Sequence, residues 1–476
     1  MQLFSLLVDI DITVFGQTYD IALSWLGRVI RWLIEGVGSV GLGVILFSVI
    51  LRLVVLPFDV VQRVNMRKQN AKMEQNKEKM DKLQKQYANN KDMYNKKVME
   101  MQKKEGLGML SSCLPMILSL VIFIVAINNF TEYSQYANVQ NYNEMVNAYN
   151  AQLSSYAAEV TTENFYPETD GENAYIVVKD DLGADKYLYF KVNEPENYDT
   201  LTAEEKVSAI SAVSNNDRKY FIDVEKVWNN AELSALVAEY LPEEKDSVTA
   251  TDEERAQAAK DYFMSKAQDA VVTVYETKIE PEKTSFAWIK NVWATDASYK
   301  HPILEYEEFK TTISQKSGCG SCNGETNGIM EHETNAYAEG TYNIVTGKLT
   351  EQKEEANGYY ILIVLSIGTI LLQQWHSNRS QKAQQKYSSV DGQGAMTQKT
   401  TMIMMTVMFA FFAFMYSAAF SMYMITGNIL SLLTTIVINK CVDVSLHKKA
   451  QKEEQAKYDQ RFYNRRNAKK DEKKKK

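Results

Sequence analysis

The chain has 476 residues, a mean hydropathy of −0.33 and a formal net charge of −7. These averages combine strongly apolar runs with strongly charged segments, so the net charge by itself indicates nothing about partners. The sequence contains no HExxH, GxSxG, Walker A or glycine-rich dinucleotide signature. It therefore argues against an enzyme and predicts neither a cofactor nor a resident metal.

The N-terminal segment, residues 1–36, carries Asp9 and Asp11 and lacks the basic start of a cleaved secretory signal, so we expect no such signal. Apolar side chains recur here at helical spacing, while Arg28 and Arg31 occupy another face. The apolar positions are Ile21, Trp25, Leu26, Val29 and Leu33. This pattern predicts an amphipathic helix that lies in the membrane interface.

Four apolar runs follow, and they predict five transmembrane helices because the last run, about 39 residues, is too long for one crossing. The predicted spans are residues 37–61, 106–130, 358–375, 401–416 and 422–439, with an outer turn at 417–421. The predicted fold class is an all-α polytopic membrane protein with a cytoplasmic helical hairpin and a small α+β extracellular domain.

Arg52 lies within the first of these runs, about 14 Å from its end and thus near the middle of a bilayer. An unpaired guanidinium costs about 3 kcal/mol there, so it requires polar partners or water. Asp59, two turns along the same helix, is expected to be too far along the axis to pair directly. The sequence therefore favours a hydrated intramembrane cavity, with a side chain that reaches to the headgroups as the alternative.

Positive charge is concentrated in three segments, residues 62–105, 376–400 and 440–476, whereas residues 131–357 carry 42 acidic and 19 basic side chains. Because cytoplasmic segments are enriched in Lys and Arg, this distribution predicts an outside N-terminus, a large outer insertion and a cytoplasmic C-terminus. Five spans satisfy the alternation. The basic tail, residues 440–476, has the composition of segments that bind anionic lipid or RNA phosphate, with a solvated tail as the alternative.

Residues 62–105 have the pattern of an antiparallel helical hairpin, interrupted at Ala88-Asn89-Asn90. We predict that apolar residues along its seam contact client proteins; a hairpin that only links two spans is the alternative. The predicted docking residues are Met73, Met80, Leu83, Tyr87, Tyr94 and Met101.

The outer insertion, residues 131–357, is long enough to be a domain. Its sequence predicts a helix at 141–160, paired strands at 174–180 and 186–192, and helices that begin at the capping boxes Thr202–Glu205 and Thr251–Glu254. Cys319 and Cys322 are predicted to form a short-loop disulfide, because their glycine-rich flanks favour a loop over a redox-active turn.

In order along the chain, several segments resemble the YidC family of membrane protein insertases. The matching segments are Leu46-Phe-Ser-Val-Ile-Leu-Arg52-Leu-Val-Val-Leu-Pro57, Met80-Asp-Lys-Leu-Gln-Lys-Gln-Tyr87, Gly106-Leu-Gly-Met-Leu-Ser-Ser-Cys-Leu-Pro115, Leu372-Gln373-Gln374 and Tyr423-Met-Ile-Thr426-Gly-Asn428. The resemblance covers about half the chain. It implies a hydrophilic intramembrane groove, open to the cytoplasm and lipid, that contains Arg52.

Polar residues on other spans would line the same groove. They are Gln373, Gln374, Thr406, Thr426 and Asn428, although the threonines could instead bond to their own helix backbone. The implied partners are nascent membrane proteins, the ribosome through the basic tail, the signal recognition particle receptor, the Sec translocon and anionic lipids. A polytopic transporter or channel subunit is the competing interpretation, although the matching broken spans of repeat-built transporters are not seen.

Overall fold

A computed structural model describes residues 11–13, 18, 21–104, 110–171, 173–180, 185–314, 336–380, 386–387 and 393–474. The chain divides into two compact units. The sheet unit consists of Met1–Arg28, Glu132–Trp293 and Ser298–Asn357, and the helical unit consists of Val29–Thr131, Ala294–Ala297 and Gly358–Lys476.

Five helices form the first part of the chain. They are α1 (Trp25–Val37), α2 (Val40–Gln75), α3 (Lys77–Gln86), α4 (Lys91–Lys104) and α5 (Leu110–Ser155). Helix α1 begins at Trp25 and buries Ile30, Leu33 and Ile34, whereas Trp25 and Val29 of the predicted apolar face are exposed, as is Trp32. An exposed tryptophan face next to a charged face is typical of a helix at a membrane surface.

Helices α1 and α2 pack closely at Gly43. A Cβ atom added there would lie 2.6 Å from the Cα atom of Ile34, so only glycine allows this approach. Helix α2 then continues through Pro57 without a break in helical structure and extends beyond the predicted end of the first span. Helices α3 and α4 are separated at residues 87–90, where the sequence predicts a break, whereas α2 itself extends to Gln75 within the range of the predicted hairpin.

The sheet unit contains one antiparallel five-stranded sheet in the order β1-β5-β4-β3-β2. Its strands are β1 (Asp11–Thr13), β2 (Phe165–Asp170), β3 (Asn173–Val178), β4 (Leu188–Asn193) and β5 (Lys219–Ile222). The predicted pair is confirmed as β3 and β4, with Val178 opposite Phe190. Alternation of buried and partly exposed residues in β3 places Ile176 and Val178 in the core.

Seven helices complete this unit. They are α6 (Ala203–Ala212), α7 (Val224–Asn229), α8 (Ala231–Val237), α9 (Asp252–Val274), α10 (Tyr306–Ser314), α11 (Glu339–Val345) and α12 (Thr350–Glu354). Both predicted capping boxes are present, at the starts of α6 and α9. The predicted helix at 141–160 is the end of α5, which stops at Ser155. Cys319 and Cys322 lie outside the described residues.

Three further helices return to the helical unit: α13 (Ile361–Ser380), α14 (Gln393–Met415) and α15 (Ala418–Lys474). Buried Asp296 accepts hydrogen bonds from the backbone amides of Tyr359, Tyr360 and Leu362, and so caps the start of α13. The turn between α14 and α15 is shorter than predicted. Only residues 416 and 417 are non-helical, because Ala418 and Ala419 favour helix and are buried in its first turn.

Two helical segments within the described residues are long and apolar enough to cross a membrane, Val40–Lys68 in α2 and Ala418–Ser445 in α15. Met402–Met415 in α14 is a shorter apolar segment. Helix α15 packs against both α2 and α13, and α13 packs against α14. The architecture is thus mainly helical, with membrane-length helices and a small sheet.

Candidate functional site

Arg52 forms an ion pair with Asp59 inside helix α2. The Nη2 atom of Arg52 lies 2.7 Å from Oδ2 of Asp59, and the side chains are 24% and 7% exposed. The contact lacks hydrogen-bond geometry, and Nε of Arg52 has no hydrogen-bond partner among the described residues. Arg52 is therefore compensated in charge but incompletely hydrogen-bonded.

The prediction that Asp59 is too distant to pair with Arg52 is wrong. Seven residues are almost two complete helical turns, so both side chains leave the same face, about 10.5 Å apart along the axis. Helical side chains tilt towards the N-terminus, which brings the Asp59 carboxylate back towards Arg52. The long Arg side chain covers the remaining distance.

A second arginine, one turn beyond Asp59, crosses to helix α15. Arg63 donates from Nη1 to the Thr435 hydroxyl and from Nη2 to the Ser431 hydroxyl, the latter over 2.6 Å. Its Nε atom has no hydrogen-bond partner among the described residues. One turn further on, Arg67 makes a two-pronged pair with Asp443, at 2.9 and 3.1 Å.

Arg63 and Arg67 border a cavity of about 200 Å³ between α2, α13 and α15. Seven of its eight lining residues are polar or charged. The lining residues are Gln62, Arg63, Met66, Arg67, Gln373, Ser377, Thr435 and Asn439. A polar cavity of this size has room for several water molecules, since each occupies about 30 Å³ in the liquid.

An apolar cluster lies at the start of helix α15, on the N-terminal side of the cavity residues Thr435 and Asn439. Ile127, Ile370, Phe420 and Met424 are buried there, and the rings of Phe409, Phe412, Tyr416 and Tyr423 pack against them. Phe420 and Thr435 are fifteen residues apart, which corresponds to about 22 Å along the helix. The interior of the helical unit therefore changes from aromatic to polar along its length.

Of the six predicted groove residues, Gln373 alone is among those that line the cavity. Gln373 lines the cavity and donates to the Ser431 hydroxyl over 2.7 Å. Thr406 bonds to the Gln374 side chain at 3.1 Å and also to its own helix backbone at Met402, as the alternative interpretation held. Asn428 donates to Thr369, and Thr426 is partly buried. Arg52 itself is not among the residues that line the cavity.

Sequence reasoning missed Arg63, Arg67, Ser431 and Thr435. The apolar pattern ends the first predicted span at residue 61, which places both arginines in the predicted cytoplasmic hairpin. A possible signal was the spacing of Arg52, Asp59, Arg63 and Arg67, which share one face of a continuous helix. The hydroxyl partners on α15 gave no signal, since their pairing depends on helix packing.

The six predicted docking residues form the core of the hairpin rather than an exposed surface. Met73, Met80 and Tyr94 are buried together with Val98 and Tyr387. The other three pack against this core. These are Leu83, Tyr87 and Met101. A client could therefore reach the buried residues only if the hairpin opened.

Tyr387, from the segment between α13 and α14, links that segment to the hairpin. The Tyr94 hydroxyl donates to the Tyr387 carbonyl, while Lys386 and the Tyr387 hydroxyl each approach the Asp81 carboxylate at 3.0 Å. The hydrogen bonds from Lys386 and Tyr387 hold the pKa of Asp81 below its ordinary value. The bond to Asp81 correspondingly raises the pKa of Lys386.

Among the described residues, no group of three or more His, Cys, Asp or Glu side chains could hold a metal ion. The polar groups that line the cavity are guanidinium, hydroxyl and amide groups, which donate hydrogen bonds and bind anions or water. Such an arrangement can hydrate and neutralise a polar segment.

The family profile of the 60Kd inner membrane protein matches residues 32–178 and 269–445, which is more than half the chain. The chain belongs to this family. The match confirms the resemblance to the YidC family, since the curated relatives are named membrane protein insertase YidC.

One such relative, from Francisella philomiragia subsp. philomiragia, is 33% identical over 106 residues. A second, from Francisella tularensis subsp. novicida, is 32% identical over 106 residues. Each alignment covers 21% of this chain and 18% of the relative, so the chain spans less than a fifth of these relatives' length. No solved structure matches the chain.

Proposed function

We propose that this YidC-family protein is a membrane protein insertase that transfers nascent small membrane proteins into the bilayer through a hydrophilic intramembrane groove. The observation that carries the proposal is the polar cavity of about 200 Å³ between α13 and the two helices α2 and α15 that contain membrane-length segments; Arg63 and Arg67 border it. The names of the curated relatives support the same activity. The task needs no nucleophile or cofactor, because the protein lowers the cost of moving polar groups past lipid.

The proposed arrangement has five spans, at residues 37–61, 106–130, 358–375, 401–416 and 422–439. The N-terminus and residues 131–357 are outside, whereas the hairpin and the tail are cytoplasmic. Charge distribution supports this orientation. In it, the polar cavity opens towards the cytoplasm and the aromatic cluster around Phe420 closes the outer end.

In the proposed mechanism, a polar or acidic flank of the client enters the hydrated cavity while its apolar helix moves into lipid. Arg63 can bind an acidic group of the client without first breaking an ion pair, since its hydrogen-bond partners are neutral hydroxyls. Arg52 acts as a deeper counter-charge by exchanging Asp59 for a client carboxylate. Hydration shortens the low-dielectric path, which weakens the penalty on each charge.

Helix α14 provides a surface for the apolar part of a client. Its residues Met404, Val407, Phe411 and Met415 are largely exposed in the helical unit. Methionine side chains adapt to unrelated apolar surfaces, which suits varied clients. We infer that such clients leave along this face.

The proposed partners outside the membrane are the ribosome, bound by the basic tail, the signal recognition particle receptor, the Sec translocon and anionic lipids. Helix α15 continues to Lys474 and carries much of the tail as helix. Client docking on the hairpin is proposed as a step that follows separation of Tyr387 from Met80 and Tyr94.

Depletion followed by a quantitative membrane proteome tests the insertase function. Rescue with the wild type should restore small proteins with one or two spans, and Arg52→Gln should restore them poorly. The Arg52→Gln/Asp59→Asn double variant controls for loss of folding, because it removes both charges. A specific solute-uptake defect with an intact membrane proteome would instead indicate the transporter.

A further inference from the structure

Arg63 is a partly buried cation whose hydrogen-bond partners are neutral. Its two terminal nitrogens donate to Ser431 and Thr435, and its Nε has no partner among the described residues. Within those residues, no carboxylate lies within ion-pair distance of Arg63. Burial of a guanidinium with only hydroxyl partners is costly, so an anion in the adjoining cavity would stabilise it.

The surrounding charges do not cancel. Arg52 pairs with Asp59, and Arg67 pairs with Asp443, while Asp59 also attracts Arg63 from one turn away without forming an ion pair with it. Three guanidinium groups and two carboxylates thus give a local charge of +1. A single monoanion would neutralise the cluster.

The depth of Arg63 matches that of lipid phosphates. Arg63 lies two residues beyond the proposed span 37–61 and nine residues, or about 13.5 Å, from residue 54, the middle of the apolar segment Val40–Lys68. Half the thickness of the hydrocarbon core is about 15 Å. Arg63 and its cavity are therefore at the edge of the hydrocarbon, where phosphodiester groups are always present.

We propose that this cavity binds the phosphodiester group of an anionic phospholipid, with Arg63 as its principal ligand. Guanidinium groups bind phosphate oxygens in a forked geometry. The amides of Gln62, Gln373 and Asn439 and the hydroxyl of Ser377 line the same space and supply further donors. This site does not depend on the insertase function.

Native mass spectrometry of the full chain tests the proposal with phosphatidylglycerol and phosphatidylcholine as probes. The wild type should retain one phosphatidylglycerol in preference to phosphatidylcholine. Arg63→Gln should weaken this retention about tenfold or more, because it removes hydrogen bonds to a charged group. Arg31→Gln is the matched control, since Arg31 is half-exposed on α1 and pairs with Glu35.

A second variant, Ser377→Leu, fills the cavity and keeps Arg63. It should also lose phosphatidylglycerol, while circular dichroism shows an unchanged helical content. Equal retention of both lipids by the wild type, or unchanged retention by Arg63→Gln and Ser377→Leu, would overturn the proposal. Binding of inorganic phosphate or of a soluble acidic peptide, without binding of phosphatidylglycerol, would assign the site to those ligands and refute the lipid.

Discussion

Replacement of Asp59 by Asn removes the negative charge that lies 2.7 Å from the Arg52 guanidinium. Loss of one partner of a buried ion pair costs about 3–5 kcal/mol, because the other charge remains buried. We expect about 3 kcal/mol, the low end, since Arg52 is 24% exposed and an Asn oxygen can still approach it. The free energy of unfolding should therefore fall by a large fraction of a typical total.

Reversible unfolding in mixed micelles measures this change. Glu35→Gln is the matched control, because Glu35 and Arg31 form an ion pair at 3.0 Å whose side chains are about half-exposed. Exposed pairs of this spacing contribute about 0.3–0.5 kcal/mol, so the control should change little.

A double-mutant cycle separates pairing from other effects. The Arg52→Gln/Asp59→Asn protein should be more stable than the sum of the single changes implies, with a coupling energy of about 2 kcal/mol. If Asp59→Asn matched Glu35→Gln and the two changes were additive, the ion pair would not contribute to stability and the argument from charge compensation would fail.

Three further predictions concern packing and pH. Met80→Ala should destabilise the hairpin by about 2–3 kcal/mol because Met80 is fully buried. Met99 is exposed, so Met99→Ala should change the stability by no more than about 0.5 kcal/mol. Amide exchange of residues 77–104 measures both changes. Gly43→Val should lower the free energy of unfolding in the micelle assay by about 1–3 kcal/mol, because the new side chain would force α1 away from α2. Gly368→Ala is the control and should not destabilise the fold, since no atom lies near its Cβ position. Hydrogen bonds from the Lys245 side chain and the Thr251 backbone lower the pKa of Glu254 from its ordinary value of 4.5. The stability that ionised Glu254 contributes is therefore present above pH 4.5 and is lost as the pH falls through the lowered pKa. Faster amide exchange at the start of α9 in Glu254→Gln should accordingly be seen at pH 7 and should disappear in acid; a difference that persists there would contradict the assignment.

Much of the local structure follows from the sequence. The capping boxes at Thr202 and Thr251 form as predicted, because their side-chain bonds involve residues only three positions apart. The hairpin break follows from Ala88-Asn89-Asn90, which favour a turn over a helix. Patterns of this kind need no knowledge of tertiary contacts.

Strands β1, β2 and β5 escaped prediction. Strands β1 and β5 have only three and four residues, and β1 and β2 are sheet edges held by a single neighbour. Strand β1 pairs with β5 across about two hundred residues, so no local pattern reveals it. Pro167 in β2 further weakens the strand signal.

The candidate site was only partly predictable. Arg52 stands out because a charge in an apolar run is rare, and Gln373, a predicted groove residue, lines the polar cavity. The prediction for Asp59 fails because the axial distance between two helical residues takes no account of the length and direction of their side chains. Arg63 depends on hydroxyls more than 360 positions away, which only the packing of α2 against α15 brings close.

Reconstitution of the purified chain into liposomes tests insertion most directly. A small single-span client, synthesised beside the vesicles, should become protected from protease in proportion to the amount of chain present. Arg52→Gln should reduce this protection for clients with an acidic flank. Equal protection in vesicles with and without the chain would contradict the proposed function.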